Sequence, residues 1–232
     1  MTEEKDIQQK AIRYARKNKK QIAKKVLENY SRVEHPYSMF MAGSPGAGKS
    51  EWARNVKHVT SGEMLHIDGD DLRNELPGYT GDNSHLFQEA MSTLVSYIHD
   101  QVLDKSISFL LDGTLSSAVK ARENIQRSLK RERKITVIYV YLDPLKAWEY
   151  TQSREIEEGR RITKETFIEK YIGSYQTVRT IRDEFHPDDV EVLLYSRKGE
   201  NKDVSVTLIL NKDQIDQCIS KLYNKEELEQ LL

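Results

Sequence analysis

Residue types that could hold a polyphosphate lie close together between positions 43 and 50 of the sequence. Gly43, Gly48, Lys49 and Ser50 satisfy the spacing G-x-x-x-x-G-K-[ST] without a substitution. Glycines allow positive φ, so that main-chain N–H groups can turn inward around phosphate oxygens. The lysine adds a point charge on those oxygens, and the Ser50 hydroxyl can ligate Mg²⁺. We therefore predict a nucleotide-binding loop rather than an ordinary glycine-rich turn, formed by Gly43, Ser44, Pro45, Gly46, Ala47, Gly48, Lys49 and Ser50.

Carboxylates follow two further apolar segments. Met64–Ile67 is followed by Asp68, Asp70 and Asp71, and the segment 107–111 is followed by Asp112. The carboxyl ends of parallel strands are where α/β sheets bind ligands, so these acids are candidates for chemistry. Two other interpretations stay open. One acid of the first group could cap a helix in a solvated turn, and Asp112 could bond backbone amides or hold magnesium through water.

Three arginines lie in the charge-dense stretch from Ser153 to Thr163. Arg154, Arg160 and Arg161 flank Gly159, where nucleotide kinases carry a lid that closes over the phosphates. The irregular segment 75–85 is too long for a tight turn and could cover a substrate. The arginines could instead form surface ion pairs with nearby glutamates, spaced one helical turn apart.

The elements that must position these residues alternate between strand and helix. The apolar run Tyr37–Met41 precedes the phosphate loop, a helix-compatible segment follows it, and Ile135–Leu142 is the clearest central strand. About five such alternations predict an α/β fold of the P-loop NTPase type, with a parallel sheet covered by helices on both faces. Without an internal repeat or a linker, we expect a single domain over residues 1–232.

Composition limits the function classes. Lys plus Arg number 36 against 37 Asp plus Glu, so the net charge of −1 favours neither nucleic acid nor a membrane. Cys218 is a single cysteine, which excludes an intramolecular disulfide, and no apolar run approaches the length of a membrane span. We expect a cytoplasmic protein.

The first 32 residues form an appended basic segment. They hold ten basic and four acidic side chains, a local charge of +6, with apolar residues at helical spacing. We predict an amphipathic helix that docks by one face. A solvated charged face is favoured over a nucleic-acid contact, which stays the alternative.

Among P-loop proteins, small-molecule kinases fit best. The segment LNKDQID suggests a guanine-specificity motif, but Gln214 stands where that motif requires Asp, so Asn211 is predicted to cap a helix. The signature regions of a transport ATPase are lacking. Strand-end acids beside the phosphate loop, the arginine-rich stretch and the long loop 75–85 all favour a kinase.

Four segments, FMAGSPGAGKS, IDGDDLRNELPGY, FLLDGT and AWEYTQSREIEEGRRIT, resemble the zeta toxin family of bacterial toxin–antitoxin systems. The resemblance covers about residues 36–196. It implies a kinase that uses ATP and Mg²⁺ to phosphorylate the 3′-hydroxyl of a UDP-N-acetylamino sugar, most simply UDP-N-acetylglucosamine. It also implies a small antitoxin protein as a partner. A plant-pathogen effector with a similar core looks like a kinase of nicotinamide adenine dinucleotide.

The resemblance also assigns roles by motif. It implies Lys49 and Ser50 as nucleotide and magnesium residues, and Asp70 as the catalytic base. Arg73 and Thr114 match substrate-cleft positions, and we add Asp112 to this group. Arg154 matches the first lid arginine, and Arg160 or Arg161 the second. Open alternatives are a dinucleotide or polynucleotide kinase and a nucleotide-gated regulatory protein whose basic helix engages a partner.

Overall fold

Six strands form one sheet in the computed structural model, which describes residues 3–159, 161–198, 203–219 and 221–232. In chain order the strands are β1 Tyr37–Ala42, β2 Leu65–Asp68, β3 Phe109–Asp112, β4 Lys134–Tyr141, β5 Val190–Lys198 and β6 Asp203–Leu208. Their spatial order is β2-β3-β1-β4-β5-β6. All neighbours are parallel except β5 and β6, which pair antiparallel. The predicted α/β fold is confirmed, with one antiparallel strand added at the edge.

Helices connect the strands. They are α1 Glu3–Leu27, α2 Lys49–Val59, α3 Gly69–Arg73, α4 Gln88–Asp104, α5 Ala118–Leu129, α6 Pro144–Glu158, α7 Lys164–Glu184, α8 Lys212–Cys218 and α9 Lys225–Leu231, with a short 3-10 helix at Ser84–Phe87 before α4. Across the described residues, none of these helices combines the length and the apolar character that crossing a membrane requires.

Strand β4 forms the centre of the core, as its composition predicts. Every residue from Ile135 to Tyr141 is buried, and only Lys134 at its start is exposed. A strand that is buried on both faces reads as a continuous apolar run because helices cover both sides of the sheet. The strand ends at Tyr141, and Asp143 then caps α6, where Pro144 occupies the first turn.

The cap at α8 decides between two interpretations of the sequence around residue 211. The Asn211 side chain accepts the backbone N–H groups of Asp213 and Gln214, and Gln214 bonds back to the cap backbone. This reciprocal arrangement is a capping box. The segment is therefore a helix start, as predicted.

Helix α1 docks by one face, as its periodicity predicts. Its buried residues pack in the core, and its helical neighbours are α4 and the 3-10 helix. Three of its basic side chains contact the protein itself: Lys25 donates to Glu75 at 2.6 Å, Arg16 lies 3.5 Å from Glu89, and Lys19 lies over the ring of Tyr97. These contacts favour a docking role for the basic charges over a nucleic-acid role.

Candidate active site

The phosphate loop leaves β1 and ends where α2 begins. Gly43, Gly46 and Gly48 have φ of 139°, 74° and 94°. A Cβ on Gly43 would lie 2.3 Å from the carbonyl oxygen of Val140, and one on Gly46 would lie 2.1 Å from that of Ala147. The first two positions therefore require glycine for both conformation and space.

Lys49 folds back over this loop. Its ammonium donates to the carbonyl oxygens of Gly43 at 3.1 Å and Ser44 at 2.7 Å. Burial lowers the pKa of Lys49 to about 8; the charge of Arg154 acts in the same direction, and the charges of nearby acids, Asp112 foremost, oppose it. The loop thus carries a partly buried cation, to which a phosphate group would be attracted.

The acids after β2 are ordered by α3. Asp68 caps this helix by accepting the backbone N–H of Asp70 at 2.8 Å. The Asp70 carboxylate is paired with Arg73, which also donates to Oε1 of Gln88 at 2.8 Å. Burial raises the pKa of Asp68 to about 6, and the backbone hydrogen bond from Asp70 opposes that shift. Asp68 therefore has the capping role left open by the sequence, while Asp70 is held by an arginine.

One cavity of about 600 Å³ gathers the phosphate loop, the acids and the arginine-rich helix. Ser50, Asp70 and Arg154, all predicted from the sequence, line the same space. The hydroxyl of Ser50 and the carboxylate of Asp68 are oxygen donors of the kind that Mg²⁺ prefers. The full lining is Ser50, Asp68, Asp70, Asp71, Asn74, Tyr79, Thr80, Gly81 and Arg154.

The loop 75–85 forms one wall of this cavity, in agreement with its predicted covering position. Within it, Asn83 accepts the N–H of Thr80 at 3.1 Å and donates to the carbonyl oxygen of Gly78 at 2.9 Å. The ring of Tyr79 packs edge-on against Phe87. Internal hydrogen bonds and this aromatic contact give the loop a defined shape beside the acids.

Of the other two predicted lid arginines, the structure describes Arg161. Arg161 lies 3.6 Å from the Glu155 carboxylate, and its side chain is 74% exposed. It therefore forms a surface ion pair, although not with the spacing of one helical turn, because Arg161 lies six residues after Glu155 and beyond the end of α6. Arg160 lies outside the described residues.

Asp112 and Thr114 lie behind the phosphate loop rather than in the cavity lining formed by the described residues. Oδ2 of Asp112 is 3.2 Å from Nε2 of His66. The Thr114 carbonyl oxygen accepts the N–H of Gly43 at 3.2 Å and the Ser174 hydroxyl at 2.5 Å. Through its main chain, Thr114 connects the phosphate loop to α7.

Two residues near the loop were missed by the sequence interpretation of function. His66 belongs to none of the predicted motifs, yet it pairs with Asp112. Arg197, near the carboxyl end of β5, pairs with Glu51 of α2, and its Cζ would lie 3.8 Å from a Cβ on Gly48. For His66, the available signal was a polar residue near the carboxyl end of the apolar segment Met64–Ile67.

Comparison with known proteins gives a consistent result. Residues 10–212 match the Zeta toxin family. The fold is similar to a structure of the PezAT chromosomal toxin–antitoxin system of Streptococcus pneumoniae, with a TM-score of 0.70 at 15% identity over 97% of this chain and 94% of that chain.

A second similar structure is the AvrRxo1-ORF1:AvrRxo1-ORF2 complex with sulphate ions, with a TM-score of 0.60 at 13% identity over 99% of this chain and 80% of that chain. The same complex with ATP gives a TM-score of 0.60 at 12% identity over 94% and 74% of the two chains. A search of curated protein sequences gave no significant match.

Proposed function

Because the chain belongs to the zeta toxin family, whose members are kinase-like phosphotransferases, we propose that it transfers the γ-phosphoryl group of ATP to a hydroxyl of a small metabolite. The observation that carries this proposal is the single cavity in which Ser50, Asp70 and Arg154 meet beside the phosphate loop. Phosphoryl transfer needs mainly positioning and the spreading of negative charge. A loop for phosphates, a carboxylate and a guanidinium group around one space meet that need.

The phosphate loop, Lys49 and Arg154 would bind the phosphates of ATP. Main-chain N–H groups of the loop would bind the phosphates, and Lys49 would leave its two carbonyl partners to contact phosphate oxygens. Arg154, which lines the same cavity as Ser50 and Asp70, would neutralise charge that develops on the transferred group. Ser50 would hold Mg²⁺, which supplies further charge neutralisation on the phosphates when bound.

The acceptor side falls to Asp70. Its carboxylate lines the cavity and would accept the proton of the attacking hydroxyl. Arg73 is a positioning residue in this scheme, because it holds Asp70 while Gln88 holds Arg73. Thr114 and Asp112 would act from behind the loop, by fixing Gly43 and the end of β3.

The sequence resemblance and one similar structure support a proposal for the acceptor and for the partner. UDP-N-acetylglucosamine is the acceptor that the sequence resemblance implies, with a dinucleotide as the alternative. A small antitoxin protein is the proposed partner, since a similar solved structure comes from a toxin–antitoxin system.

The test is a transfer assay with Mg²⁺, ATP and UDP-N-acetylglucosamine, read by mass spectrometry as a gain of one phosphate. A bacterial metabolite extract serves as the second acceptor source. Lys49→Ala and Asp70→Asn should each lower the rate at least a hundredfold, whereas the matched neighbour variant Asp71→Asn should change it less than tenfold. Near-normal transfer by Asp70→Asn would refute the base assignment, and no transfer to any acceptor by the wild type would refute the kinase proposal.

A further inference from the structure

His66, Asp68 and Asp112 form a compact cluster at the carboxyl ends of β2 and β3. Asp68 and Asp112 face each other in the parallel register of the two strands, and His66 lies two residues before Asp68. One potential ligand atom from each side chain lies within 4.8 Å of the other two. The backbone hydrogen bonds of the sheet therefore hold three metal-ligating groups in one place.

The separation between two of these groups matches metal coordination. His66 Nε2 and Asp112 Oδ2 are 3.2 Å apart. Adjacent ligands of an octahedral ion, each about 2.2 Å from the metal, lie about 3.1 Å apart. Asp68 accepts the Asp70 N–H with Oδ1, and its carboxylate has a second oxygen with which to bind an ion.

The charge and the location of the cluster also suit a cation. In the state that metal binding requires, with both carboxylates ionised and the imidazole neutral, the three groups carry a charge of about −2, which matches a divalent ion. The side chains of His66 and Asp112 are only 22% and 9% exposed, so uncompensated negative charge there would be costly. Asp68 extends from this cluster to the cavity wall, where Ser50 also lies.

We propose that His66, Asp68 and Asp112 bind a divalent transition metal ion of the Mn²⁺ or Fe²⁺ class. An imidazole nitrogen with two carboxylates is a ligand set that these ions accept, whereas Mg²⁺ is bound by oxygen ligands. The inference deepens the proposed function and rests on it for the ion's role. The ion would neutralise two acids that otherwise repel a triphosphate at Lys49.

The experiment measures Mn²⁺ binding to the full chain without nucleotide, by electron paramagnetic resonance. Wild-type protein should bind about one Mn²⁺ with nitrogen coupling from the imidazole in the spin-echo modulation. His66→Asn should weaken binding at least tenfold and remove that coupling. His58→Asn is the matched control, because His58 is an exposed histidine in the last turn of α2 and lies outside the cluster, and the Mn²⁺ affinity of this variant should stay within about twofold.

Absence of Mn²⁺ binding, or binding without nitrogen coupling and unaffected by His66→Asn, would overturn the metal proposal. A parallel measurement of ATP binding in Mg²⁺ separates this failure from failure of the proposed function, since ATP binding by the wild type does not require the cluster to hold a metal. Circular dichroism of His66→Asn shows whether the variant folds. If the variant does not fold, the presence or absence of nitrogen coupling in the wild type still tests whether an imidazole binds the ion.

The side chain of Arg197 supports a second, independent inference. It pairs with Glu51 in the first turn of α2, and it lies beside Gly48 of the phosphate loop. Its Nε is buried without a hydrogen-bond partner among the described residues. A guanidinium group that is 26% exposed, next to a phosphate-binding loop, retains donor capacity that Glu51 does not use.

We infer that Arg197 binds a phosphate of the nucleotide and that Glu51 holds its side chain in position until the nucleotide arrives. The loop residues next to Gly48 bind the α- and β-phosphates in P-loop proteins, so a guanidinium at this place reaches the same groups. An arginine can bind a phosphate through two parallel hydrogen bonds. The inference rests on the proposed nucleotide binding.

Calorimetric titration with ADP tests the role inferred for Arg197, by comparing the wild type with the variants Arg197→Gln and Glu51→Gln. Arg197→Gln should weaken ADP binding about tenfold or more, whereas Glu51→Gln should leave the affinity equal or higher, because it removes the competing carboxylate. Unchanged affinity in Arg197→Gln, with ADP binding intact in the wild type, would overturn the inference. Equal weakening in both variants would also overturn it, because the pair would then act only by holding β5 against α2.

Discussion

Acidification from pH 7 to pH 5 should destabilise the fold by about 2 kcal/mol through the single side chain of His99. This residue of α4 is 2% exposed and packs against the rings of Phe40 and Phe109. Burial lowers its pKa from the ordinary 6.5 to about 3, and the cations of Arg127, Arg133 and Arg131 act in the same direction. These guanidinium groups are the charges that face the ring, and Asp100 beside it is paired with Arg127.

The magnitude follows from proton binding by the two states. Between pH 7 and pH 5 the folded ring stays neutral, whereas the unfolded chain gains a proton at this position below pH 6.5. The unfolded state then binds more protons, so stability falls as the pH falls. Each pH unit below 6.5 costs about 1.4 kcal/mol, which gives about 2 kcal/mol at pH 5.

Urea unfolding at pH 7, 6 and 5 measures the effect, with His99→Phe as the matched variant because it keeps an aromatic ring between Phe40 and Phe109. Other acid-sensitive groups contribute to both proteins and cancel in the difference between them. The stability of wild type relative to His99→Phe should therefore fall by about 2 kcal/mol from pH 7 to pH 5. Parallel loss of stability in the two proteins would refute a buried neutral histidine.

Three further predictions follow from single contacts. Gly46→Ala should abolish ADP binding in calorimetry, because its Cβ would meet the Ala147 carbonyl at 2.1 Å; Gly62→Ala, with positive φ but open space, should retain binding. Arg133→Met should lower the free energy of unfolding, measured in urea, by about 3 kcal/mol. The guanidinium group donates to the Ser38 hydroxyl and to the carbonyl oxygens of Tyr37 and Ile107, and the variant leaves these acceptors without their donor. A loss below about 1 kcal/mol would contradict this prediction. Arg122→Ala should leave the urea midpoint of unfolding nearly unchanged, because the ion pair between Arg122 and Glu184 is exposed to solvent; a clear shift of the midpoint would contradict this prediction.

Much of the fold was predictable because its signals are local. The phosphate loop is a contiguous motif, β4 is a contiguous apolar run, and the Asn211 cap acts within three residues. The antiparallel direction of β6 also has a local signal, because only four residues separate Lys198 from Asp203, whereas parallel strands need a crossover of about a dozen residues or more.

The basic residues at the end of α5 and just after it show a limit of such local signals. By sequence position alone, they would be expected to complement the negative end of that helix. Arg127 and Arg131 instead pair with Asp100 and Asp104 of α4, and Arg133 is buried under β1. Charge at a helix end is a local pattern, but the partner that a long side chain reaches lies on another element, and the sequence does not specify it.

The residues of the proposed site also fall into two groups, those that short motifs nominate and those that only the fold brings together. Lys49, Ser50 and Asp70 belong to short motifs, so residue type and spacing were enough to nominate them. His66 with Asp112, and Glu51 with Arg197, are separated by 46 and 146 residues and meet only because of strand order and register. These pairs sit directly behind and beside the phosphate loop, where they alter its charge. The motif thus specifies the phosphoryl chemistry, while the metal preference and nucleotide affinity proposed here depend on contacts that only the folded sheet creates.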